Sequence, residues 1–199
     1  MVTRGMAVEV RQESPARLNE YAQIPIAFDV LETFDVIAAP DDQFTLAARH
    51  LAIPYGKDYD AIGEGPAEWA RRFDISNWAF FGAFAQGQRV GGATVAYDTP
   101  GLDMLEGRID LAVLWDIRVG GSNRHRGVGT ALVGAAAAWA SDKGCRQLKV
   151  ETQNINVPAC RFYVRQGFVL RSAQRGVYAE LPEEIRLLWY KDLAPGTAG

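Results

Sequence analysis

The residues best suited to chemistry lie in one glycine- and arginine-rich stretch, residues 119–130, with the letters Val-Gly-Gly-Ser-Asn-Arg-His-Arg-Gly-Val-Gly-Thr. The stretch follows a predicted strand and opens a predicted helix, so its backbone N–H groups converge at a helix N-terminus, where the helix dipole favours an anion. Gly127 and Gly129 allow the backbone to approach a ligand closely. Arg124 and Arg126 add guanidinium donors that suit phosphate. The sequence therefore predicts a phosphate-binding loop, and a pyrophosphate is its natural occupant.

Two common phosphate loops do not fit these letters. A Walker loop requires Gly-Lys-Ser/Thr after its last glycine, whereas Gly129 is followed by Thr130 and Ala131. The dinucleotide-binding fingerprint requires a third glycine three positions after Gly129, and that position is Leu132. The loop is therefore of another type.

Apolar runs and alternating patterns predict the elements that position this loop. Strands are predicted over residues 26–36, 78–85, 89–97, 111–119, 147–152, 168–178 and 185–191. Helices are predicted over residues 65–73, 127–142 and 156–166, and loops over residues 41–42 and 56–60. The apolar face of the helix over 127–142 is predicted to comprise Val128, Leu132, Ala135 and Trp139, with Gly144 just beyond its end. The order predicts an α+β protein with a single mixed, mostly antiparallel sheet flanked by helices.

Length and composition limit the class of protein. The chain has 199 residues, of which 48% are hydrophobic and 23% are charged, as in an ordinary globular protein. We expect one domain over residues 1–193 and a frayed tail over 194–199. No apolar run is long enough for a membrane span, and no secretory signal is visible. Two cysteines and two histidines provide little material for disulfides or a structural metal site, which favours a reducing cytoplasm and no metal.

Charge is distributed unevenly along the chain. Residues 1–100 carry a net charge of −6 and residues 101–199 a net charge of +3. An acidic half could serve a cationic ligand and a basic half an anionic one, although charge alone favours the simpler explanation of two solvated faces. Nucleic acid is disfavoured as a partner because its binding domains are usually much more basic. The acids that could line a cationic cleft are Asp29, Glu32, Asp35, Asp41, Asp42, Asp58, Asp60 and Glu64.

Two motifs resemble the GCN5-related N-acetyltransferases (GNAT). The first is Arg-x-x-Gly-x-Gly, formed by Arg124, Gly127 and Gly129 between a strand and a helix. The second, over residues 156–168, reads Asn-Val-Pro-Ala-Cys-Arg-Phe-Tyr-Val-Arg-Gln-Gly-Phe. The two motifs stand in the family's order and cover about residues 111–170. Residues 148–160, with the late 187–193 segment, also look like the streptothricin-type acetyltransferases, whose substrate is a β-lysyl amine.

The resemblance implies that acetyl-coenzyme A is the co-substrate. It implies that residues 101–193 bind this co-substrate and that residues 1–100 face the acceptor. The loop would hold the pyrophosphate, and the backbone of the preceding strand would hold the pantetheine. Asn156 either contacts the pantetheine or only caps its helix. The implied cofactor-binding residues are Ile117, Arg118, Val119, Arg124, His125, Arg126, Gly127, Val128, Gly129, Thr130, Asn156 and Tyr163.

Acetylation of an amine also requires a proton acceptor and a donor to the departing thiolate. Tyr163 matches the family's tyrosine, and its phenol can donate to a thiolate; as an alternative, it packs in the core. Glu151 and Asp116 are the candidate bases, and each could instead be a salt-bridged carboxylate. Cys160 is expected to be a small buried residue and not a nucleophile, because no histidine lies nearby in sequence.

The sequence thus predicts an acetyl-CoA-dependent N-acetyltransferase that uses direct transfer to a primary amine of a cationic small molecule, such as a streptothricin-type antibiotic. Two alternatives stay open: a protein or peptide N-acetyltransferase, and a non-catalytic acyl-CoA-binding sensor. The sensor would keep the loop but would need neither Tyr163 nor a base. A homodimer is the expected assembly if the chain is not a monomer.

Overall fold

The computed structural model describes residues 7–41, 43–62 and 65–194. Within these ranges the chain forms nine strands and four α-helices. The strands are β1 (Glu9–Glu13), β2 (Phe28–Ala38), β3 (Phe44–Lys57), β4 (Ala79–Ala85), β5 (Gln88–Ala96), β6 (Leu111–Val119), β7 (Gln147–Gln153), β8 (Val169–Gln174) and β9 (Arg186–Asp192). The helices are α1 (Leu18–Tyr21), α2 (Pro66–Arg72), α3 (Val128–Asp142) and α4 (Val157–Arg165).

Seven strands form a sheet in the order β1-β4-β5-β6-β7-β9-β8, and β2 and β3 form a separate two-stranded sheet. The pairs β1–β4, β4–β5, β5–β6 and β8–β9 are antiparallel. The predicted α+β class, with a mixed and mostly antiparallel sheet flanked by helices, is confirmed. The described residues divide into two compact units, of which the first comprises residues 7–26, 59–62, 65–148 and 193–194 and the second residues 27–41, 43–58 and 149–192.

In the first unit, α3 packs on the sheet formed by β4, β5 and β6. Its buried face comprises Val128, Leu132, Val133, Ala136 and Ala140. The close approach requires a glycine on β5, because a Cβ at Gly91 would lie 2.8 Å from the carbonyl oxygen of Arg118 and 3.0 Å from a methyl of Val128. Beyond Asp142, the last residue of the helix, Gly144 has a φ of +82°, the left-handed conformation expected of a glycine just past a helix. The helix carrying the loop at its N-terminus is therefore fixed against the sheet.

An aromatic cluster forms a second part of the first unit's core. Trp69 and Trp78 are buried, and the rings of Trp78 and Trp115 lie 5.4 Å apart. The Nε1–H of Trp78 donates to Thr99 Oγ1 at 2.9 Å, so its polar group is satisfied although the ring is buried. Trp78 is thus part of the first unit's core, and Trp115 packs against it.

The second unit is held by polar contacts around one buried asparagine. Asn154 donates through Nδ2 to Thr33 Oγ1 and to the carbonyl oxygen of Phe34, both at 3.1 Å. Its Oδ1 accepts from the backbone N–H of Ile185 at 2.8 Å. Asn154 follows the last residue of β7, so these bonds tie that end of the strand to β2 and to the segment before β9.

Several elements differ from the prediction. β1, α1 and β3 are not predicted from the sequence, and Gly56 and Lys57, expected in a loop, are the last two residues of β3. Ala135 and Trp139 are only half-buried on α3, because the helix turns Ala136 and Ala140 toward the sheet instead. In the expected tail, Ala194 accepts a hydrogen bond from Ser141 Oγ at 2.8 Å, and residues 195–199 lie outside the described residues.

Candidate functional site

The predicted phosphate loop leads into the N-terminus of α3, where the N-cap residue is a glycine and has no side chain to accept hydrogen bonds from the first backbone N–H groups. This N-cap residue, Gly127, has a φ of +83°, a left-handed conformation that favours glycine. Apart from its chain neighbours, no atom of the residues that the structure describes lies within 4 Å of the place where a Cβ of Gly127 would be, so the space beside it is open to a ligand. The first-turn N–H groups have no acceptors within an α-helix. This geometry suits an anion.

The charged residues of the loop face solvent. Arg124, His125 and Arg126 are exposed, and Arg124 Nε donates to the carbonyl oxygen of Val119 at 3.4 Å. His125 has a φ of +60°, an uncommon conformation for a residue other than glycine. In the same segment Val128 is buried, Gly129 is half-buried and Thr130 is exposed. The loop therefore offers two guanidinium groups next to the open helix terminus.

The strand before the loop carries a buried ion cluster. The Arg118 side chain is 1% exposed and donates to both Asp116 and Asp60, with N–O distances of 3.0 and 2.6 Å. Its Nη1 also donates to the carbonyl oxygen of Ile24 at 3.2 Å. Burial lowers the pKa of Arg118, but hydrogen bonds with Asp60 and Asp116 outweigh this and raise it overall. The Arg118 side chain therefore stabilises the first unit, and the predicted contact with the cofactor would involve the backbone of Arg118 and not its side chain.

Asp116, a candidate base, is enclosed by this cluster. Its side chain is 8% exposed, and the phenol of Tyr21 donates to Oδ1. Burial and the Asp116 carboxylate raise the pKa of Tyr21 well above its usual value, so the phenol stays protonated as a donor. Ile117 and Val119, also predicted to contact the cofactor, are half-buried and pair with Ala93 and Gly91 of β5.

Asn156 and Tyr163 lie at the two ends of α4 in the second unit. Asn156 Oδ1 accepts from the backbone N–H of Ala159 at 3.2 Å, so the asparagine caps the helix as expected. Tyr163 is 4% exposed, and its ring lies 5.3 Å from that of Phe168. Cys160, which lies between these two residues in sequence, is buried, and this burial raises the pKa of its thiol to about 11. A thiol that is protonated and buried is a poor nucleophile.

Glu151, the other candidate base, is half-buried on β7. The phenol of Tyr178 donates to its Oε1 at 2.6 Å, and Nε2 of Gln153 approaches the same oxygen at 3.3 Å. Burial and the charge of Glu151 raise the pKa of Tyr178. Both candidate bases therefore accept from a phenol, and Asp116 also accepts from a guanidinium.

The structure places the predicted site residues in both units. The first unit contains the loop, Asp116 and the strand backbone, and the second contains Glu151, Asn156 and Tyr163. Sequence reasoning missed Tyr21 and Tyr178, because neither stands in a motif, and it assigned no role to Gln153, which lies within the segment 148–160. Of the acids expected to line a cationic cleft, Glu32, Asp35 and Asp60 are ion-paired with arginines, and Asp42 and Glu64 lie outside the described residues.

Residues 7–41, 43–62 and 65–194 show neither a metal-binding cluster nor a membrane-spanning helix. These residues contain no cluster of three or more histidine, cysteine or acidic side chains that could hold a metal ion. No helix among them is long and apolar enough to cross a membrane.

Comparison with known proteins decides the family. The model of the acetyltransferase (GNAT) family matches residues 47–168. The chain is 30% identical over 179 residues to streptothricin acetyltransferase of Escherichia coli, a match that covers 88% of this chain and 91% of the relative. The chain belongs to the acetyltransferase (GNAT) family. The predicted class of enzyme, an N-acetyltransferase, and the likeness to streptothricin acetyltransferases are therefore confirmed.

Further relatives agree with this family. Streptothricin acetyltransferase A of Bacillus subtilis is 38% identical over 81 residues, which cover 40% of this GNAT chain and 47% of the relative. Nourseothricin acetyltransferase, whose crystal structure is known, shares 25% sequence identity with this chain. The two structures align with a TM-score of 0.73 over 94% of this chain and 99% of nourseothricin acetyltransferase. A Bacillus anthracis protein solved with acetyl coenzyme A shares the fold at 23% identity, with a TM-score of 0.77 and coverage of 94% and 100%.

Proposed function

We propose that this GNAT protein transfers an acetyl group from acetyl-CoA directly to a primary amine of a cationic small molecule of the streptothricin type. The observation that carries the proposal is the similarity to streptothricin acetyltransferase of Escherichia coli over 91% of that protein's length. The net charge of −6 over residues 1–100 supports a cationic acceptor.

The loop before α3 fits the pyrophosphate of acetyl-CoA. Its glycine N-cap leaves the first-turn N–H groups without a side-chain cap, and the space beside Gly127 is open. In the proposal these N–H groups bind the phosphate oxygens, and Arg124 and Arg126 add positive charge. The backbone of Ile117–Val119 and the side-chain amide of Asn156 bind the pantetheine.

The proposed reaction is one nucleophilic displacement. The neutral amine attacks the thioester carbon, the new C–N bond forms, and the C–S bond breaks. Tyr163 donates its phenolic proton to the departing sulfur, which leaves as the thiol of coenzyme A. The acceptor nitrogen releases its proton to a carboxylate, directly or through water. Tyr163 then recovers a proton from solvent.

Glu151 is the better candidate for that carboxylate. The oxygens of Asp116 accept from Arg118 and Tyr21 in a buried cluster, so Asp116 is held as a counter-ion. Glu151 is half-buried and accepts hydrogen bonds from Tyr178 and Gln153. We therefore assign Asp116 a structural role in the first unit and assign Glu151 the role of the carboxylate that takes the proton from the acceptor nitrogen.

A panel of acceptors tests the proposed reaction. Release of free coenzyme A thiol should be measured with streptothricin, with a peptide that has a free N-terminus and a lysine, and without acceptor. We expect kcat/KM for streptothricin to exceed that for the peptide at least a hundredfold. A preference for the peptide would support a protein N-acetyltransferase. Tight acetyl-CoA binding with no thiol released from any acceptor would support a sensor.

The cofactor part of the proposal has its own test. Arg124→Glu combined with Arg126→Glu should raise the KM for acetyl-CoA at least tenfold, since a charge-assisted phosphate bond contributes about 1.5–3 kcal/mol. Arg71→Glu combined with Arg72→Glu is the matched control, because this pair reverses the same charge on an exposed face of α2. An equal KM in the two double variants would remove the loop from the cofactor site.

A further inference from the structure

One buried guanidinium in the first unit is bonded to three separate parts of the chain. Arg118 donates from Nε to Asp116 Oδ1 and from Nη2 to Asp116 Oδ2, both at 3.0 Å. Its Nη1 and Nη2 donate to the two carboxylate oxygens of Asp60 at 2.6 and 2.8 Å. Nη1 also donates to the carbonyl oxygen of Ile24 at 3.2 Å. These bonds use all five N–H groups of a side chain that is 1% exposed, so the guanidinium has one fixed position.

Two of these partners, Ile24 and Asp60, flank a single segment of the chain. The chain leaves the first unit after Ile26 and returns to it at Tyr59, and the residues between contain β2 and β3. Ile24 lies two residues before the point of departure, and Asp60 lies one residue after the return. The Arg118 side chain therefore holds both ends of the first unit's chain from which the β2–β3 segment, residues 27–58, extends.

The end at Ile24 is fixed a second time through Tyr21. The backbone N–H of Ile24 donates to the carbonyl oxygen of Tyr21 at 3.1 Å, and the phenol of Tyr21 donates to Asp116. The Tyr21 ring lies directly on β5, because a Cβ at Gly92 would be 2.5 Å from one of the ring carbons. The start of the β2–β3 segment is thus held against the neighbouring strands β5 and β6 by packing as well as by the guanidinium.

Arg118 stands on the part of β6 that the proposed function assigns to the pantetheine of acetyl-CoA. Its backbone belongs to the assigned segment Ile117–Val119, while its side chain points to the two ends of the β2–β3 segment. The proposed function places the acceptor on residues 1–100, and two exposed carboxylates, Asp29 and Asp58, lie close in sequence to those ends. One residue therefore contacts both the strand assigned to the thioester arm and the chain ends of the half assigned to the amine.

We propose that Arg118 is a positioning residue whose side chain fixes the two ends of the β2–β3 segment beside the strand that binds the pantetheine. The inference rests on the proposed function, because it concerns the alignment of the acceptor with the thioester in this N-acetyltransferase. The Arg118 side chain does not touch the reacting atoms and acts through Ile24 and Asp60. Transfer requires the amine nitrogen and the thioester carbon to be held in a near-attack geometry, so loosening the two ends should slow transfer without loss of cofactor binding.

Asp60→Asn tests this role, because it removes the charge and one acceptor oxygen from the guanidinium while β6 keeps its sequence. The matched control is Glu13→Gln, which makes the same change in another bidentate pair of the first unit, where Arg89 donates to the two Glu13 oxygens at 2.8 and 2.9 Å. We expect kcat/KM for streptothricin to fall at least tenfold in Asp60→Asn and to stay within twofold of the unmutated enzyme in Glu13→Gln. The dissociation constant for acetyl-CoA, measured by calorimetry, should change less than twofold in both variants.

Hydrogen exchange followed by mass spectrometry adds a measurement that requires no turnover. Amide exchange in peptides covering residues 22–28 and 57–62 should be at least tenfold faster in Asp60→Asn and unchanged in Glu13→Gln. Thermal melting checks that each variant folds. If Asp60→Asn does not fold, Arg118→Lys carries the same expectations, because an ammonium has three donors on one atom and cannot reproduce the planar fork that reaches all three partners.

The outcomes separate the inference from the proposed function. Wild-type kcat/KM in Asp60→Asn, or an equal loss of kcat/KM in Glu13→Gln, would overturn the inference, while turnover of streptothricin by the unmutated enzyme leaves the proposed function standing. Absence of turnover in the unmutated enzyme would overturn the proposed function itself, and unchanged exchange at both ends of the β2–β3 segment would then overturn the inference as well.

Discussion

Substitution of the two left-handed glycines that flank α3 separates cofactor binding from stability. Gly127 and Gly144 have φ values of +83° and +82°, and beyond its chain neighbours a Cβ at either position would lie within 4 Å of no atom of the described residues. An alanine in this conformation loses about 1–2 kcal/mol. Because the backbone strain is similar and neither methyl would crowd another described residue, Gly127→Ala and Gly144→Ala should lower the melting temperature by the same amount, about 2–8 °C.

Binding of acetyl-CoA should distinguish the two variants. The methyl of Gly127→Ala enters the open space beside the first turn of α3, where the proposal places the pyrophosphate, whereas Gly144 lies at the opposite end of the helix. Loss of one charge-assisted bond, about 1.5–3 kcal/mol, corresponds to a tenfold or larger rise in KM. Circular dichroism melts and steady-state kinetics at saturating acceptor provide the two measurements. An equal KM in both variants would refute the assignment of the pyrophosphate to this helix terminus.

Three further predictions concern other parts of the chain. Tyr163→Phe should lower kcat about 100-fold while the KM for acetyl-CoA barely changes, because the lost proton donor acts in the transition state; an unchanged kcat when chemistry limits the rate would make Tyr163 a packing residue. Lys57→Met should reduce the free energy of unfolding, measured in urea, by about 3–5 kcal/mol, because it leaves Glu184 buried without its cation. Adding Glu184→Leu should restore most of this loss, and equal stabilities of the single and the double variant would show that the two residues are not coupled. Burial raises the pKa of the Cys145 and Cys160 thiols to about 11, so above about pH 9 the unfolded chain binds fewer protons than the folded one and the free energy of unfolding should fall as the pH rises. Replacing both cysteines with alanine should make this fall less steep, and an unchanged pH dependence in that variant would contradict the explanation.

The sequence predicts the second half of the fold better than the first. The prediction for β6 agrees with its observed bounds, Leu111–Val119, and α3 and α4 begin and end near their glycine and asparagine signals. These elements have strong local signals: an apolar run, a capping residue and a glycine with positive φ. β3 has no such signal, because most of its residues are exposed and its pairing with β2 creates the strand.

The candidate site shows the same division between local and distant information. The loop before α3 is readable from its letters because the residues that act together are adjacent. The partners of the two candidate bases are distant in sequence: Tyr21 is 95 residues from Asp116, and Tyr178 is 27 residues from Glu151. Only the folded chain shows that Asp116 is enclosed by an arginine and a phenol and that Glu151 accepts from Tyr178.

The central claim, acetyl transfer to a cationic amine, is tested most directly by identifying the product. The purified protein should be incubated with acetyl-CoA carrying an isotopically labelled acetyl group and with streptothricin, and the product should be analysed by fragment mass spectrometry. The account predicts one labelled acetyl group on the β-lysyl primary amine and one equivalent of coenzyme A thiol. Unmodified streptothricin after acetyl-CoA has bound, or label on a protein side chain in place of the antibiotic, would contradict it.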